Sequence, residues 1–394
     1  MHCTFPYGAT PIGYCALQIV LTRQMQGATN HLKNMISQEL RLPEIDADNC
    51  VYAIYEQADC CACVSSCPTG AWVLDDESLG LDTEACDGCG LCIPACPGGA
   101  LHIQFPWVIR PFAGRTIALF ACDQSGIGKN EATLPCIHSL GLRQLLLLYN
   151  SGIEHLLIAT AECVECTRHQ STDIHQRVQQ LNKLLHERKK PPLKILQRSD
   201  QVWMRIFKTD EMISRGTQLS RRKFLRGGGE MLRQQLVVLD PLNLPESHTA
   251  PPGQLLPAVA TEAEVHWPWS PRLDEELCNG CDACIKLCPT DALQFIPGVE
   301  EEEGEKENMP GYRLNPLDCT GCGICATVCE LRAITIHSWS LSSDHLINLT
   351  EKRCTACGNN FHLPQHNSLS QESLCRICSK HNHSSNLFQV LTEE

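Results

Sequence analysis

The stretches CNGCDACIKLCP, residues 278–289, and CTGCGICATVCE, residues 319–330, decide what kind of protein this is. Each spells C-x2-C-x2-C-x3-C, through Cys278, Cys281, Cys284 and Cys288, and through Cys319, Cys322, Cys325 and Cys329. A third intact run is Cys86, Cys89, Cys92 and Cys96. The spacing has a chemical reason. A cubane of four irons asks one thiolate for each iron, three close cysteines wrap a loop around three of them, and the fourth reaches the neighbouring cluster. Proline after that fourth cysteine (Pro97, Pro289) turns the chain away. Zinc sites are built from CxxC pairs instead of four-cysteine runs, so the spacing points to [4Fe–4S] clusters.

A fourth run, at Cys60, Cys63 and Cys67, departs from the pattern. Aligning CCACVSSCP on CDACIKLCP puts its missing first cysteine at Gln57. We expect Cys50 to supply that ligand across a longer loop, with ligation by Cys61 or a three-iron cluster as the alternatives. Each of the four runs is followed by a short apolar segment that reads as a strand: Ala71–Leu74, Ala100–Ile103, Ala292–Phe295 and Ala333–Ile336. The repeats fall in two pairs, so a two-run module has been duplicated.

The rest of the composition fits metal better than disulfides. There are 27 cysteines in 394 residues with 5% aromatics, 43% hydrophobic and 20% charged residues. Disulfide scaffolds this rich in cysteine are short and secreted. The N-terminal MHCTFPYGATPIGYCALQIV lacks the layout of a secretory signal, and the apolar stretch Leu145–Ala161 is broken by Asn150, Glu154 and His155. A reducing, cytoplasmic location is therefore expected. The net charge of −13 is uneven: residues 177–233 carry 15 Lys and Arg against 5 Asp and Glu. An acidic body with a basic middle suggests protein docking more than nucleic-acid binding. The segment Ser220–Arg226 has the look of a twin-arginine export signal, but no apolar stretch follows it; the run Glu300–Glu303 reads as a solvated loop.

Between the modules, Thr116–Cys122 and Leu156–Cys163 read as buried parallel strands, and LRQLLLLYNSG and a segment carrying Ile174, Val178, Leu181 and Leu185 read as helices. A third strand is expected at Leu193–Leu196. Past module 2, Cys354, Cys357, Cys375 and Cys378 form two CxxC pairs separated by 17 residues. This is the spacing of a four-cysteine zinc ribbon, a fold too small to close without its metal; a single rubredoxin-like iron is the alternative. His362, His366, His381 and His383 lie nearby but are not expected as ligands.

The expected fold is multidomain, α+β and α/β, in six stretches. These are an N-terminal segment (1–44), ferredoxin-like module 1 (45–112), a parallel α/β domain (113–198), a linker (199–268), ferredoxin-like module 2 (269–345), and a zinc ribbon with tail (346–394). Residues 45–105 and 270–340 resemble the bacterial two-cluster ferredoxins and the polyferredoxin subunits built from them. The resemblance implies low-potential electron transfer and crossed ligand sets. One cluster takes Cys67, Cys86, Cys89 and Cys92, another Cys278, Cys281, Cys284 and Cys329, and its neighbour Cys288, Cys319, Cys322 and Cys325. By the same logic Cys50, Cys60, Cys63 and Cys96 hold the remaining one. Glu330 replaces the usual proline, and a carboxylate there should lower that cluster's potential.

The middle stretch, through FACDQSG, LPCIHSLGLRQLLLLYNSG and LLIATAECVECTRH, is similar to the small iron–sulfur (delta) subunit of methyl-viologen-reducing hydrogenases. That resemblance implies a [2Fe–2S] cluster on Cys122, Cys136, Cys163 and Cys166, although the first segment has one cysteine where the family has a pair. Together these sites account for 24 of the 27 cysteines, leaving Cys3, Cys15 and Cys61. No dinucleotide loop and no convincing acid–base pair is visible, Ser125–Gly128 being too short for the former. We therefore expect a multi-cluster electron-transfer subunit serving a catalytic partner such as a hydrogenase, formate dehydrogenase or heterodisulfide-reductase-like enzyme. Electrons would enter one module, cross the middle domain and leave by the other. The rival expectation is a redox-sensing or maturation scaffold whose ribbon and basic segment bind a client or nucleic acid.

Overall fold

The computed structural model describes residues 42–380, apart from 56, 59, 76–77, 104, 106, 169–172, 210–249, 260–263, 299–308 and 368–373. The Ser220–Arg226 segment, Glu300–Glu303, Cys3, Cys15, His381 and His383 lie outside the described residues.

Module 1 runs β1 (Glu44–Ile45), α1 (Val51–Ile54), α2 (Ala62–Ser65), β2 (Trp72–Leu74), β3 (Leu79–Leu81), α3 (Cys92–Ala95) and β4 (Leu101–His102). The outer strands close it, with Glu44 opposite His102 and Ile45 opposite Leu101, while β2 and β3 form a hairpin. Its helices are single turns, too short to stand alone. They are held by a small core of Trp72, Ile93, Leu101 and Ile103, into which Cys63 and Cys92 also pack.

The middle domain begins earlier than the sequence suggested. β5 (Val108–Phe112) turns through Ala113 and Gly114, both at positive φ, and pairs antiparallel with β6 (Arg115–Cys122). A boundary at 113 would cut this hairpin. β7 (Thr133–Leu134) and β8 (His155–Ala159) are parallel to β6, and β9 (Lys194–Gln197) is parallel to β8. Helices α4 (Leu142–Asn150), α5 (Ile174–Glu187) and α6 (Asp200–Phe207) pack on the sheet. Ala118 and Phe120 share a core with Leu145, Leu146 and Leu181, whereas Ile117, Leu119 and Ala121 share one with Trp203 and Ile206. Burial on both faces is why β6 reads as an unbroken apolar run. Two expectations are corrected here. Residues 200–207 belong to this domain and not to a linker, since Trp203 is fully buried in it. The strand before Cys163 stops at Ala159, and Cys163–Glu165 is a separate 3-10 turn.

After α7 (Pro252–Leu255), β10 (Val265–Leu273) opens module 2. There follow α8 (Ala283–Lys286), β11 (Leu293–Ile296), β12 (Gly311–Leu314), α9 (Ile324–Val328) and β13 (Ile334–Ser342). The chain ends its described part with β14 (His345–Arg353), β15 (Asn360–Pro364) and α10 (Arg376–Lys380). β10 pairs antiparallel with β13 from Leu273–Ile334 to Val265–Ser342, so its first four residues lie in the stretch expected as linker. Its inner end repeats the β1–β4 pairing of module 1, and β11–β12 repeats β2–β3. β14 then crosses from β12 to β15, making one sheet of module 2 and the ribbon.

Each module packs both on the other module and on the middle domain. Val51 and Ala58 of module 1 form an apolar cluster with Ile324 of module 2, and Cys60 and Cys322 both pack against it. Cys89 and Leu91 of module 1 pack with Cys136 of the middle domain. The far side of the middle domain holds β10: the Arg188 guanidinium lies 4.7 Å from the Trp267 ring, and Glu187 accepts from the His266 amide at 2.8 Å. No helix among the described residues is long and apolar enough to cross a membrane.

Candidate metal centres

One hydrogen-bond pattern occurs four times. The amide of an Asp or Asn donates to the carbonyl of an alanine in the partner run: Asp46 to Ala100 at 2.8 Å, Asp82 to Ala71 at 2.8 Å, Asp274 to Ala333 at 2.7 Å, and Asn315 to Ala292 at 2.8 Å. In each case the side chain then accepts from the amide two residues on, at Asp48, Glu84, Glu276 and Leu317, the Asx turn that Asp and Asn favour. Four residues after each Asx stands a cysteine: Cys50, Cys86, Cys278 and Cys319. Four residues before each alanine stands another: Cys96, Cys67, Cys329 and Cys288. The backbone therefore ties the first cysteine of one run to the last cysteine of its partner run.

Charge neighbours group most of the thiols in the same way, with Cys92 and Cys325 also facing one cysteine of the adjoining set. Burial pushes Cys63 up to about 11, with Cys60 and Cys96 beside it. Burial also raises Cys86, next to Cys67, and brings Cys92 to about 12, with Cys86 and Cys63 nearby. Cys278 rises to about 11 and Cys284 to about 12, each facing Cys281 and Cys329. Cys319, pushed to about 12, faces Cys322 and Cys288; Cys325 and Cys89 are raised further still. Thiols this reluctant to ionise become thiolates only when a cation compensates them, which suits metal ligands. Amides already point at two of the sulfurs, Ala71 N to Cys67 Sγ at 3.3 Å and Ala333 N to Cys329 Sγ at 3.2 Å. Cys61 differs: it is exposed, and its sulfur accepts from Ser65 Oγ one helical turn away. Glu330 faces Lys380 in an exposed ion pair, which offsets the charge expected to act on the neighbouring site.

In the middle domain, Cys122, Cys136, Cys163 and Cys166 line one cavity of about 420 Å³. Cys122 ends β6, Cys136 precedes a 3-10 turn, and the other two bracket the turn at 163–165. Burial pushes Cys136 up to about 12, with Cys122 and Cys166 as its charged neighbours. Gln124 N donates to Cys122 Sγ at 3.5 Å, and His138 Nε2 lies 3.3 Å from Cys163 Sγ. Arg168 closes one wall. Its Nε donates to Asp87 Oδ2 at 2.6 Å, and its Nη1 to Asp123 at 3.1 Å and to the Pro135 carbonyl at 2.7 Å.

In the ribbon, the sulfurs of Cys354, Cys357, Cys375 and Cys378 all lie within 4.8 Å of one another. Amide donors, that of Cys375 first (3.3 Å to Cys354 Sγ), pull Cys354 down to about 6, and desolvation pushes Cys378 up to about 12. Four converging sulfurs with one thiol poised to ionise fit a tetrahedral cation. His362 is turned away from them. Its Nε2 bonds Asp282 Oδ1 at 2.8 Å and the Tyr312 hydroxyl at 2.9 Å, linking the ribbon to the Cys281–Cys284 loop. Asn367 Nδ2 likewise donates to the carbonyls of Glu275, Glu276 and Cys278. Sequence reasoning missed Arg168, His362 and Asn367, and also the Asx four residues before each first cysteine. That last signal was available as D-x3-C or N-x3-C in all four runs.

Comparison with known proteins bears on these centres. Residues 277–333 match the 4Fe-4S dicluster domain and residues 80–102 the 4Fe-4S binding domain. Ferredoxin-3 of a Nostoc species is 30% identical over 80 residues, which make up 80% of that protein and 17% of this chain. The chain belongs to the 4Fe–4S ferredoxin family. The chain is also similar to the pyruvate-flavodoxin oxidoreductase of Klebsiella pneumoniae, 29% identical over 122 residues, covering 24% of this chain and 10% of the oxidoreductase. The chain thus spans about a tenth of the length of that relative. Pyruvate synthase subunit PorD of Methanothermobacter marburgensis is 35% identical over 66 residues, 17% of this chain and 63% of the subunit.

Proposed function

We propose that this ferredoxin-family chain is an electron-transfer subunit with six metal sites, relaying electrons to or from a cytoplasmic oxidoreductase. The single observation that carries the proposal is the fourfold Asx–alanine bond, which pairs first and last cysteines in the crossed fashion that two-cluster modules need. It supports four [4Fe–4S] ligand sets: Cys50, Cys60, Cys63 and Cys96; Cys67, Cys86, Cys89 and Cys92; Cys278, Cys281, Cys284 and Cys329; Cys288, Cys319, Cys322 and Cys325. Cys50 stands four residues after Asp46 as Cys278 stands after Asp274, and the Asn49 carbonyl abuts Gly98 beside the Cys96 segment. Cys61 has neither relation. The cavity of Cys122, Cys136, Cys163 and Cys166 suits the [2Fe–2S] cluster, and the four ribbon sulfurs suit zinc.

When bound, the clusters supply reversible one-electron chemistry at potentials set by hydrogen bonding, charge and burial. The chain's own residues hold, bury and space them. The packing of Cys60 and Cys322 on one apolar cluster supports electron transfer between the modules, and that of Cys89 on Cys136 supports transfer between module 1 and the middle domain. The middle domain also packs on β10 of module 2, through Arg188 and Trp267. The partner proposed is a catalytic oxidoreductase, since several relatives carry such names.

Anaerobic iron, sulfide and zinc analysis with EPR of the dithionite-reduced protein tests the proposal. About 18 irons and about one zinc per chain are expected from four cubanes, one [2Fe–2S] and one ribbon. Far fewer irons, or zinc in the ferredoxin modules, would overturn it.

A further inference from the structure

The sequence marks His138 only as the residue two after Cys136; in the structure it is buried, at 8% exposure, against the middle-domain cysteines. We infer that His138 is a positioning residue that tunes this site, donating its Nε2 proton to the sulfur of Cys163. The inference rests on the proposal that Cys122, Cys136, Cys163 and Cys166 hold a [2Fe–2S] cluster.

The tautomer follows from the neighbours. Ile174 N–H donates to His138 Nδ1 at 3.1 Å, so Nδ1 presents a lone pair and the ring proton sits on Nε2. Ile174 is the first residue of α5, where backbone amides have no partner inside the helix. Asp173 caps the amide of Gln176, and the imidazole takes that of Ile174. A ring proton on Nδ1 would clash with that amide. The ring therefore directs its Nε2–H towards Cys163 Sγ, 3.3 Å away.

The residue is also fixed from behind. Its carbonyl accepts from Arg177 Nη1 at 2.5 Å, and its own backbone amide faces the Cys136 sulfur. One residue thus directs two N–H groups at two of the four sulfurs. A donor to a ligand sulfur withdraws negative charge and favours the more negative, reduced state, which raises the potential.

The test is a potentiometric EPR titration of the full chain with dithionite, comparing wild type with His138→Leu and His138→Gln. His138→Leu should lower the midpoint of the [2Fe–2S] signal while leaving its intensity and the [4Fe–4S] midpoints unchanged. His138→Gln keeps an N–H donor and should fall between the two. An unchanged midpoint in His138→Leu would overturn the inference alone. Loss of the signal in both variants would also overturn it, making the ring a ligand or a wall. A wild-type protein with no [2Fe–2S] signal would overturn the proposed site, and the inference with it.

Discussion

Arg168 Nε donates to Asp87 Oδ2 at 2.6 Å, so a residue two past Cys166 grips the loop between Cys86 and Cys89. The same guanidinium holds Asp123, the neighbour of Cys122. Burial alone would raise the Asp87 carboxyl, but Arg168 outweighs it and leaves the group below its usual value. Two loops that carry cysteines of different centres are thereby fixed to each other.

Arg168→Leu should leave the two carboxylates facing one another, each less than a third exposed. Because the pair is only partly buried, we expect a loss at the lower end of the range for broken buried ion pairs, about 2–3 kcal/mol. Hydrogen exchange should rise in residues 86–92 and 122–136 before it rises elsewhere. Unchanged exchange in both loops would show that apolar packing at Leu91 suffices.

Cys50→Ser and Cys61→Ser separate the two candidates for the first ligand set. We expect Cys50→Ser to lower the iron content by about one to four per chain, as a three-iron cluster or complete loss of a cubane would require. Cys61→Ser should bind the same iron as wild type. The reverse result would assign the ligand to Cys61.

Ala58 is 4% exposed and packs between Val51 and Ile324. Ala58→Asp would bury an unpaired carboxylate there, and the modules should separate at a cost of about 2–4 kcal/mol. Faster hydrogen exchange around Leu287 and Ile324 with full iron content is the expected outcome. Unchanged exchange in module 2 would show that other contacts hold the modules together.

Much of this architecture can be read without coordinates. The cysteine runs, the apolar strand after each, and the helical spacing of Ile174, Val178, Leu181 and Leu185 are local patterns, and local physics governs them. What was hidden involves distant partners. Val108–Phe112 looks like a tail of module 1 until it pairs with β6 across the turn at Ala113–Gly114. Residues 265–268 include Trp267 and Pro268 and read as the end of a linker, yet Val265–Trp267 pair with Ser340–Ser342. His362 looked like one more exposed histidine, because its bonds to Asp282 and Tyr312 span 80 and 50 residues of sequence. The contact between the two modules depends on Val51, Ala58 and Ile324, which no periodicity marks.

Loss of metal from the proposed ribbon site should be felt beyond it. We expect a zinc chelator, or Cys375→Ser, to increase protease cleavage after residue 353 and hydrogen exchange at Asp282 and Tyr312, through loss of His362. A ribbon that stays protected after verified metal removal would show that the fold closes by packing alone.

The shared strand β14 also limits how this chain could be dismantled or recombined. Cutting at residue 345 would spare the cysteine runs of module 2, but it would strip β12 of one partner and leave Gly311–Leu314 as a bare sheet edge. Bare edges recruit strands from other molecules. A truncated chain of this kind should aggregate even with every ferredoxin cysteine in place, because module 2 and its ribbon share one sheet.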